Sequence, residues 1–527
     1  MNAISSSGGD EAAPSAYQWA EVDPSRTAVI QRDHEITFGQ LIGRTNQLSH
    51  HFRELGLGVG DVVASFLENE PEYWELTLAA QQIGLYYVPI NSHLKAEEAA
   101  YIVHNSGAKL LVAGAAQAGL LASNGTVVEA KHLFTLGEVL AGWRPYSDLG
   151  HGKPTGAPVD RVAGAIMGYT SGTTGQPKGV KRKVGHETPE QVAIRSVAMI
   201  NSFGLTRPDG VHLVCSPLYH SAPAAFAAAA LHLGHTLVVH EKFDAEWVLR
   251  DVERYGVTNS HMVPTHFHRL LSLPDKTKAA ADTSSLQTAI HAGAPCPPSV
   301  KRRMIDWWGP IIWEYLGATE GIIAQASPSE WLEHPGTHGR PEPGSVVILD
   351  EFGAEQPTGE SGRIFFRATL PYEYVGDPDK TRENRQGDFV TVGDLGYLDA
   401  EGYLYLKGRR DDLILSGGAN VYPVEVEQAL IGHPAVADVG VIGVDDEEWG
   451  QKVVAVIQLN PGYSPSNEIR EDIDSFARTN LGSYKRPKQI EFLNEFPRTP
   501  SGKLIRRNLR DILTVRAALA AESSRPH

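Results

Sequence analysis

The chain of 527 residues carries 47 Lys and Arg against 63 Asp and Glu, a formal net charge of −16. So acidic a surface disfavours nucleic acid and anionic lipid as partners, and an anionic substrate must be met by a local group of donors. The hydrophobic share of 42% and the charged share of 21% are ordinary for a globular protein, and the length suggests several domain-sized units.

Two cysteines, Cys215 and Cys296, are too few to form a disulfide framework, and we expect both to be structural residues of a protein in a reducing compartment. The N-terminal sequence MNAISSSGGDEAAPSAYQW lacks the basic and apolar regions of a secretory signal peptide. The most apolar stretch, residues 222–239, is interrupted by two histidines and a glycine and predicts a buried helix followed by a strand. We therefore expect a cytoplasmic protein with no membrane span, present as a monomer or homodimer.

From Tyr17 onward, helical segments alternate with short β-branched segments. The spacing of three leucines predicts a helix over residues 38–56, and a strand over residues 62–67 follows it. The alternation continues with a predicted helix over residues 70–83 and a strand over residues 86–90. Further strands are predicted over residues 108–114, 212–218, 236–240 and 258–264. This alternation predicts an α/β fold with mostly parallel sheets.

The pattern changes after Gly336. Residues 338–408 contain short strands separated by the turn sequences LDEFG, TGESG and DAEG, which predict an antiparallel or barrel-like portion. The charged sequence GRRDD at residues 408–412 marks a predicted domain boundary, although an ordinary surface turn would look the same. Beyond it, a compact α/β region is predicted from strands over residues 437–444 and 453–459 and a helix over residues 466–480.

A loop rich in glycine and hydroxyl residues follows the strand-like run at residues 162–167. Residues 168–181 read GYTSGTTGQPKGVK. Glycines let a backbone approach a ligand closely and present successive N–H groups, and Lys178 adds a positive charge. Because Lys178 is followed by Gly179, the loop is not a Walker A motif, and its composition alone fits a triphosphate cradle or a flexible turn. The candidate phosphate ligands are Thr170, Ser171, Gly172, Thr173, Thr174, Gly175 and Lys178.

The full string resembles the signature loop of the adenylate-forming superfamily, which includes acyl- and aryl-CoA synthetases, peptide-synthetase adenylation domains and beetle luciferases. The resemblance recurs in order from about residue 30 to about residue 510 and is closest to bacterial acyl- or aryl-CoA ligases. It implies a large N-terminal domain of α/β subdomains with a barrel-like β portion, and a small, mobile C-terminal α/β domain.

The expected domain boundaries follow from this resemblance. We predict a disordered tail over residues 1–16, an N-terminal adenylation domain over 17–408 and a hinge over 409–412. The mobile C-terminal domain is expected over 413–515, followed by a frayed tail over 516–527.

Further motifs extend the resemblance. LYHSAP at residues 218–223 resembles the segment whose aromatic or His residue guards the acid pocket, and here that residue is His220. GAP at residues 293–295 matches the segment that packs on adenine, and EYLGATEG at residues 314–321 matches the segment that holds adenine, a phosphate and magnesium. The matching residues are Gly293, Ala294, Pro295, Glu314, Tyr315, Leu316, Gly317, Ala318, Thr319 and Glu320.

The family pattern implies specific contacts to ATP. Tyr315 would stack on the base, Thr319 would bond the α-phosphate and Glu320 would coordinate Mg²⁺, which prefers one or two carboxylates together with substrate phosphates. Asp394 falls where the ribose-binding Asp is expected, and Arg409 matches a second ribose contact. The usual T-G-D sequence before that Asp reads V-G-D here, but the Gly and the Asp are kept.

Two matched residues belong to the moving parts of the family. Asp411 corresponds to the hinge residue, and Lys503, in PRTPSGKLIRR, corresponds to the catalytic lysine of the small domain. The resemblance implies that Lys503 bridges the carboxylate and the α-phosphate during adenylation, and that the small domain then swings about Asp411.

Three features favour coenzyme A as the final acceptor. Gly417 and Gly418 match the loop that lines the pantetheine tunnel in members that use CoA. Trp449 and Tyr484 resemble aromatic residues that flank the CoA adenine in aryl-CoA ligases, and Arg486 resembles a phosphate-binding arginine nearby. Packing within the small domain would also account for the two aromatic residues. The resemblance thus implies ATP, Mg²⁺ and CoA, with a free-standing ligase that forms an amide with an amino acid as the alternative.

The activated acid is constrained by residues 217–230, PLYHSAPAAFAAAA, which carry no carboxylate to pair an α-amino group. An amino acid is therefore disfavoured as the acid. The alanines indicate either a wide apolar pocket or a tightly packed helix of small residues. We expect a small-molecule carboxylic acid with an apolar, alicyclic or fatty body.

Overall fold

The computed structural model describes residues 15–123, 128–170, 177–368, 370–499 and 504–523, with side chains as far as residue 516. The chain divides into two compact units, which are described separately. Unit 1 comprises Met1–His261, Ser285–Thr288 and Tyr372–Gly376; unit 2 comprises Met262–Ser284, Ala289–Pro371 and Asp377–His527.

The helices of the described residues are α1 (Ala16–Val22), α2 (Phe38–Glu54), α3 (Glu72–Gln81), α4 (Ala96–Ser106), α5 (Ala115–Ser123), α6 (Pro189–Asn201), α7 (Ser221–Leu233), α8 (Ala245–Tyr255), α9 (Pro264–Leu271), α10 (Asp275–Ala280), α11 (Pro298–Trp308), α12 (Pro328–Glu333), α13 (Pro378–Glu383), α14 (Pro423–Leu430), α15 (Asn467–Asn480) and α16 (Arg506–Ser523). Short 3₁₀ turns occur at Tyr146–Asp148, Arg410–Asp412 and Ser483–Lys485.

The strands of unit 1 and its borders are β1 (Thr27–Gln31), β2 (His34–Thr37), β3 (Val62–Phe66), β4 (Tyr86–Pro89), β5 (Ala108–Gly114), β6 (His132–Leu136), β7 (Arg144–Pro145), β8 (Ala165–Ile166), β9 (Gly168–Thr170), β10 (Lys178–Arg182), β11 (Val211–Val214), β12 (Thr236–Val239) and β13 (Asn259–Met262). The chain continues with β14 (Thr288–His291), β15 (Ile312–Ala318), β16 (Gly321–Ala326), β17 (Val346–Leu349), β18 (Gly362–Arg367), β19 (Tyr372–Tyr374), β20 (Arg385–Gln386), β21 (Phe389–Val390), β22 (Asp394–Leu398), β23 (Leu404–Arg409), β24 (Ile414–Ser416), β25 (Ala419–Val421), β26 (Val436–Asp446), β27 (Gly450–Leu459) and β28 (Gln489–Phe492).

Unit 1 is built on parallel sheets. In the sheet ordered β7-β6-β5-β3-β4-β8, every neighbouring pair is parallel. Its strands are apolar on both faces, since Val63 belongs to one buried cluster while Val62 and Ala64 belong to another. A second sheet places β13, β11, β12 and β1 parallel, with β2 antiparallel on its edge. Burial on both faces is what parallel strands require.

Unit 2 combines a parallel pair with antiparallel sheets. Strand β14 pairs with β15 in parallel, and β15 forms a hairpin with β16. Strands β17 to β23, apart from β19, form an antiparallel sheet ordered β20-β21-β18-β22-β23, with β17 also on β18. The C-terminal sheet, β25-β24-β27-β26 with β28 on β27, packs with α14 and α15 around its own apolar cluster.

The predicted fold class, a mixed α/β protein with an antiparallel portion before a smaller C-terminal region, is confirmed. The apolar stretch at residues 222–239 forms α7 and β12, as expected. No helix of the described residues is long and apolar enough to cross a membrane. At the ends of the described chain, Ser15 caps α1 and α16 extends to Ser523, so regular structure reaches slightly beyond residues 17–515 on both sides.

Candidate active site

The glycine- and threonine-rich loop connects two strands of unit 1. Thr170 ends β9 and Lys178 begins β10, and the two residues are cross-strand partners in an antiparallel pair. The Thr170 Oγ1 donates to the Lys178 carbonyl oxygen at 3.4 Å. The loop therefore leaves and rejoins the sheet at one point, which holds both of its ends. The remaining predicted phosphate ligands, Ser171, Gly172, Thr173, Thr174 and Gly175, lie outside the described residues.

His220 stands immediately before α7 in unit 1. It is the N-cap residue of that helix, and its N–H donates to the Pro217 carbonyl oxygen at 3.2 Å. Its ring centroid lies 4.6 Å from that of Tyr219. On α7 itself, Ala224, Ala227 and Ala230 are buried in the core. These alanines thus fit the packed-helix interpretation of the sequence better than the wide-pocket one.

Unit 2 contains a cavity of about 220 Å³ that brings eight of the predicted nucleotide ligands together. Gly293, Ala294 and Pro295 line it from the loop after β14. The predicted ligands that line it also include Tyr315, Leu316, Gly317, Asp394 and Arg409. Residues from segments far apart in sequence therefore converge on one cavity.

The two predicted ribose ligands are cross-strand neighbours. Asp394 begins β22 and Arg409 ends β23, and the two residues are in register. Arg409 Nε lies 3.3 Å from Asp394 Oδ1. Asp394 is buried, whereas the Arg409 side chain is 44% exposed. The strand pairing thus positions a buried carboxylate at the cavity wall with a guanidinium beside it.

Thr319 and Glu320 form the two-residue turn of the β15–β16 hairpin. The flanking residues Ala318 and Gly321 are cross-strand partners. Glu320 is 5% exposed. Within the described residues no group of three or more His, Cys, Asp or Glu side chains could hold a metal ion. One buried carboxylate nevertheless fits Mg²⁺ that takes its other ligands from substrate phosphates and water.

Glu314 has a different environment from its neighbours in the motif. Its carboxylate accepts from Lys301 Nζ at 2.9 Å and lies 3.5 Å from Nε2 of both His291 and His338. Burial opposes ionisation of Glu314, but the charge of Lys301 and the two imidazoles outweigh it and hold the pKa down at about 2. Glu314 is therefore part of a buried ionic network beneath the cavity, while Tyr315 faces the cavity.

Sequence reasoning missed several residues on the cavity wall, among them His338, Asp438, Arg498 and Arg506. Arg498 Nη2 donates to Asp438 Oδ2 at 2.5 Å. Arg498 also forms an antiparallel bridge with Leu504, so these two residues bracket the segment that contains Lys503. The charged residues around PRTPSGKLIRR could have been noticed, but their partners lie far away in sequence. Lys503 itself lies outside the described residues.

The predicted CoA ligands occupy the C-terminal region. Gly417 and Gly418 have φ of 59° and 78°, and a Cβ at Gly417 would stand 2.8 Å from the Trp449 ring, so glycine is required there. Lys488 Nζ lies 4.3 Å from the centroid of the same ring. Tyr484 is 45% exposed, and Arg486 donates to backbone carbonyls of Leu481 and Arg478. Trp449 is thus partly engaged in packing, and Tyr484 is open to solvent. Asp411 lies in the 3₁₀ turn Arg410–Asp412.

Known proteins are similar to the chain over nearly its whole length. A family model described as AMP-binding enzyme matches residues 16–370, and one described as AMP-binding enzyme C-terminal domain matches residues 425–503. The 2-succinylbenzoate–CoA ligase of Bacillus licheniformis is 32% identical over 499 residues, which cover 93% of this chain and 98% of that protein.

Two solved structures resemble the whole chain. The anthranilate CoA ligase AuaEII, in complex with anthranoyl-AMP, superposes with a TM-score of 0.85 at 27% identity and covers 96% of this chain and 98% of its own. The amide bond synthetase McbA from Marinactinospora thermotolerans gives a TM-score of 0.79 at 26% identity, with coverage of 94% and 99%. The name of the first implies CoA as the acceptor of the acyl group, and the name of the second implies an amine.

Proposed function

Because the chain belongs to the AMP-binding enzyme family, we propose that it converts a carboxylic acid with an apolar body into a CoA thioester by way of an acyl-adenylate. Family membership confirms the predicted adenylate-forming superfamily, the enzyme class of AMP-forming acid–thiol ligases, and ATP, Mg²⁺ and CoA as reactants and metal. The observation that carries the proposal is the convergence of Gly293–Pro295, Tyr315, Asp394 and Arg409 on one cavity.

The first half-reaction joins the acid to AMP. A carboxylate oxygen of the acid attacks the α-phosphorus of ATP, the bond to the bridging oxygen breaks, and pyrophosphate leaves. Positioning and charge stabilisation account for most of the catalysis of such a step. We assign the α-phosphate contact to Thr319, ribose binding to Asp394 and Arg409, and the bridging positive charge to Lys503. Glu320 would hold Mg²⁺, which when bound offsets the charge of the phosphate oxygens.

In the second half-reaction the thiol sulfur of CoA attacks the adenylate carbonyl, the C–O bond to AMP breaks, and the thiol proton passes to solvent. Gly417 supports this assignment, because its backbone is left-handed and a Cβ there would stand 2.8 Å from the Trp449 ring. We assign pantetheine passage to Gly417 and Gly418 and CoA contacts to Trp449, Tyr484 and Arg486. The hinge at Asp411 and the domain limits predicted from the sequence belong to the same proposal.

We infer an acid without an α-amino group. Residues 217–230 carry no carboxylate, and the carboxylic acids named for the similar CoA ligases, 2-succinylbenzoate and anthranilate, are aromatic. An aromatic, alicyclic or alkyl body is compatible with these observations. A cytoplasmic location fits the two buried cysteines, which form no disulfide.

A second candidate, amide formation with an amine acceptor, is favoured by the similarity to McbA. One experiment separates the two. A panel of aromatic, alicyclic and fatty acids is incubated with ATP, Mg²⁺ and either CoA or amino acids, and AMP and product mass are measured. We expect AMP release and a thioester with CoA. Amide without thioester would assign the enzyme to the second candidate, and an absence of acid-dependent AMP would contradict both.

A further inference from the structure

Asn69 is a buried side chain that joins three segments of unit 1. It follows β3 and is 4% exposed. Its Nδ2 donates to the carbonyl oxygens of Ser216 at 3.0 Å and His240 at 2.9 Å, and its Oδ1 accepts from the Leu218 N–H at 2.8 Å. Its own carbonyl oxygen accepts from Gln31 Nε2 at 2.5 Å. One residue thus links β1, the segment after β11 and the segment after β12.

These hydrogen bonds use both the amide donor and the oxygen acceptor of the Asn69 carboxamide. Aspartate lacks the donor, leucine lacks both groups, and serine is too short to span the three partners. Strand β11 ends at Val214 and β12 at Val239, so Asn69 supplies hydrogen bonds just past two strand ends. Ser216 and Leu218 flank Pro217, which has no N–H to donate.

The segment held by Asn69 leads directly to His220. The His220 N–H donates to the Pro217 carbonyl oxygen, and His220 occupies the N-cap position of α7, so the backbone between the Asn69 contacts and the helix is a single tight turn. On the other side of this turn, the Tyr219 hydroxyl lies 3.4 Å from His93 Nδ1. A shift at Ser216 or Leu218 would therefore move His220.

We propose that Asn69 is a positioning residue for residues 216–220, and that it determines how well the enzyme accepts its acid by fixing the place of His220. This inference rests on the proposed function and on the role in the acid pocket that the family resemblance implies for His220. Small displacements of substrate-positioning groups can change rates by about a hundredfold.

The test compares Asn69→Asp with a matched control, Asn46→Asp. Asn46 is also buried in unit 1, and it donates from Nδ2 to the Thr155 carbonyl oxygen at 2.8 Å and accepts from Gln82 Nε2 at 3.0 Å. It has no bond to residues 216–220 among the described contacts. Amide hydrogen exchange of peptides covering 216–222 and KM for the acid and for ATP are measured in both variants.

We expect Asn69→Asp to speed exchange in residues 216–222 and to raise KM for the acid about ten- to hundredfold, while KM for ATP stays near the wild-type value. The ratio of variant to wild-type activity should recover at low pH, because a protonated carboxyl can donate to one of the two carbonyl oxygens. Asn46→Asp should change neither the exchange in residues 216–222 nor KM for the acid. If Asn69→Asp does not fold, Asn69→Ser, which introduces no charge, is used for the same measurements.

The outcomes separate this inference from the proposed function. Unchanged exchange in residues 216–222 overturns the positioning role whatever the activity. Faster exchange with an unchanged KM for the acid overturns the link to acid acceptance, provided that His220→Ala does raise that KM. If His220→Ala leaves it unchanged, His220 does not govern acceptance of the acid and the link to Asn69 is overturned with it. If the wild-type enzyme activates no acid, the proposed function fails instead.

Discussion

At the scale of single residues, the buried Lys301–Glu314 pair gives a prediction about stability. The Lys301 side chain is fully buried and its only ion-pair partner among the described side chains is Glu314. Glu314→Gln leaves a buried ammonium without a counter-charge, and loss of one partner of such a pair typically destabilises by about 3–5 kcal/mol. Denaturant unfolding measures the change. The double variant Lys301→Met/Glu314→Gln should be less destabilised than Glu314→Gln alone, and additive losses would contradict this account.

A second residue, His232, predicts how stability depends on pH. Its Nδ1 accepts the Ala16 N–H at 3.1 Å, which requires the neutral ring. Burial lowers its pKa from 6.5 to about 4. Because the pKa of His232 is lower in the folded state, its contribution to the free energy of unfolding is complete above pH 6.5. That contribution is lost as the pH falls toward 4, with a slope of up to about 1.4 kcal/mol per pH unit.

The measurement is the free energy of unfolding between pH 7 and pH 4. His232→Gln, whose side-chain oxygen can still accept a hydrogen bond, should show a shallower decline than the wild type. His34→Gln, on the exposed strand β2, serves as the control and should keep the wild-type slope. Parallel curves for His232→Gln and the wild type would contradict the role of this imidazole.

At the scale of elements, the β22–β23 pair should control ATP binding. Asp394→Asn keeps the shape of the side chain but removes the charge, and we expect KM for ATP to rise about tenfold or more, since hydrogen bonds to a carboxylate contribute about 1.5–3 kcal/mol. The acid KM should change little. Asp388→Asn, in the exposed turn between β20 and β21 of the same sheet, is the matched control. Equal effects of the two variants would remove Asp394 from the nucleotide site.

The elements were predicted well where hydrophobic periodicity was long, as in α2, β5 and the α7–β12 pair. Short-range signals misplaced several ends. The strand expected over residues 212–218 stops at Val214, three residues before Pro217. The strand-like run at 162–167 contributes only Ala165–Ile166, and β9 begins after it. Such ends depend on partners that are distant in sequence.

At the scale of the whole chain, the order of motifs was sufficient to predict the superfamily and eight of the residues that line the cavity of unit 2. It could not predict which polar groups pair across long separations. Lys301 with Glu314, Arg498 with Asp438, and Asn69 with Leu218 are fixed by tertiary packing, and a single sequence contains no signal for such pairs. The alanines of α7 are another example, because a small side chain suits both a helix packed in the core and the wall of a wide pocket, and only the structure shows that these alanines are buried in the core.

The final prediction concerns Arg506, which connects parts of the C-terminal region on which adenylation should depend. Arg506 begins α16, donates from Nη1 to Asp412 at 3.1 Å and binds both carboxylate oxygens of Glu427 at 2.7 Å from Nη2. Asp412 follows the proposed hinge residue Asp411, and Lys503 precedes Arg506 by three positions. Arg506 therefore holds the segment after the proposed hinge and the segment after the proposed catalytic lysine to α14.

Arg506→Lys removes the guanidinium group that bonds Asp412 and Glu427 at the same time, but it keeps the positive charge. We expect acid-dependent AMP formation to fall about ten- to hundredfold, because residue 506, three positions after Lys503, is then held less firmly to α14. Thioester formation from pre-made acyl-adenylate should fall less, since Lys503 has no assigned part in that step. Lys503→Ala should reduce AMP formation further and should likewise affect thioester formation less. Arg507→Lys, at an exposed neighbouring position on α16, should change the rate of neither half-reaction. If Lys503→Ala abolishes both half-reactions equally, the assignment of Lys503 to adenylation alone is wrong. If only Arg506→Lys abolishes both equally, Arg506 stabilises the C-terminal region as a whole and does not act through Lys503.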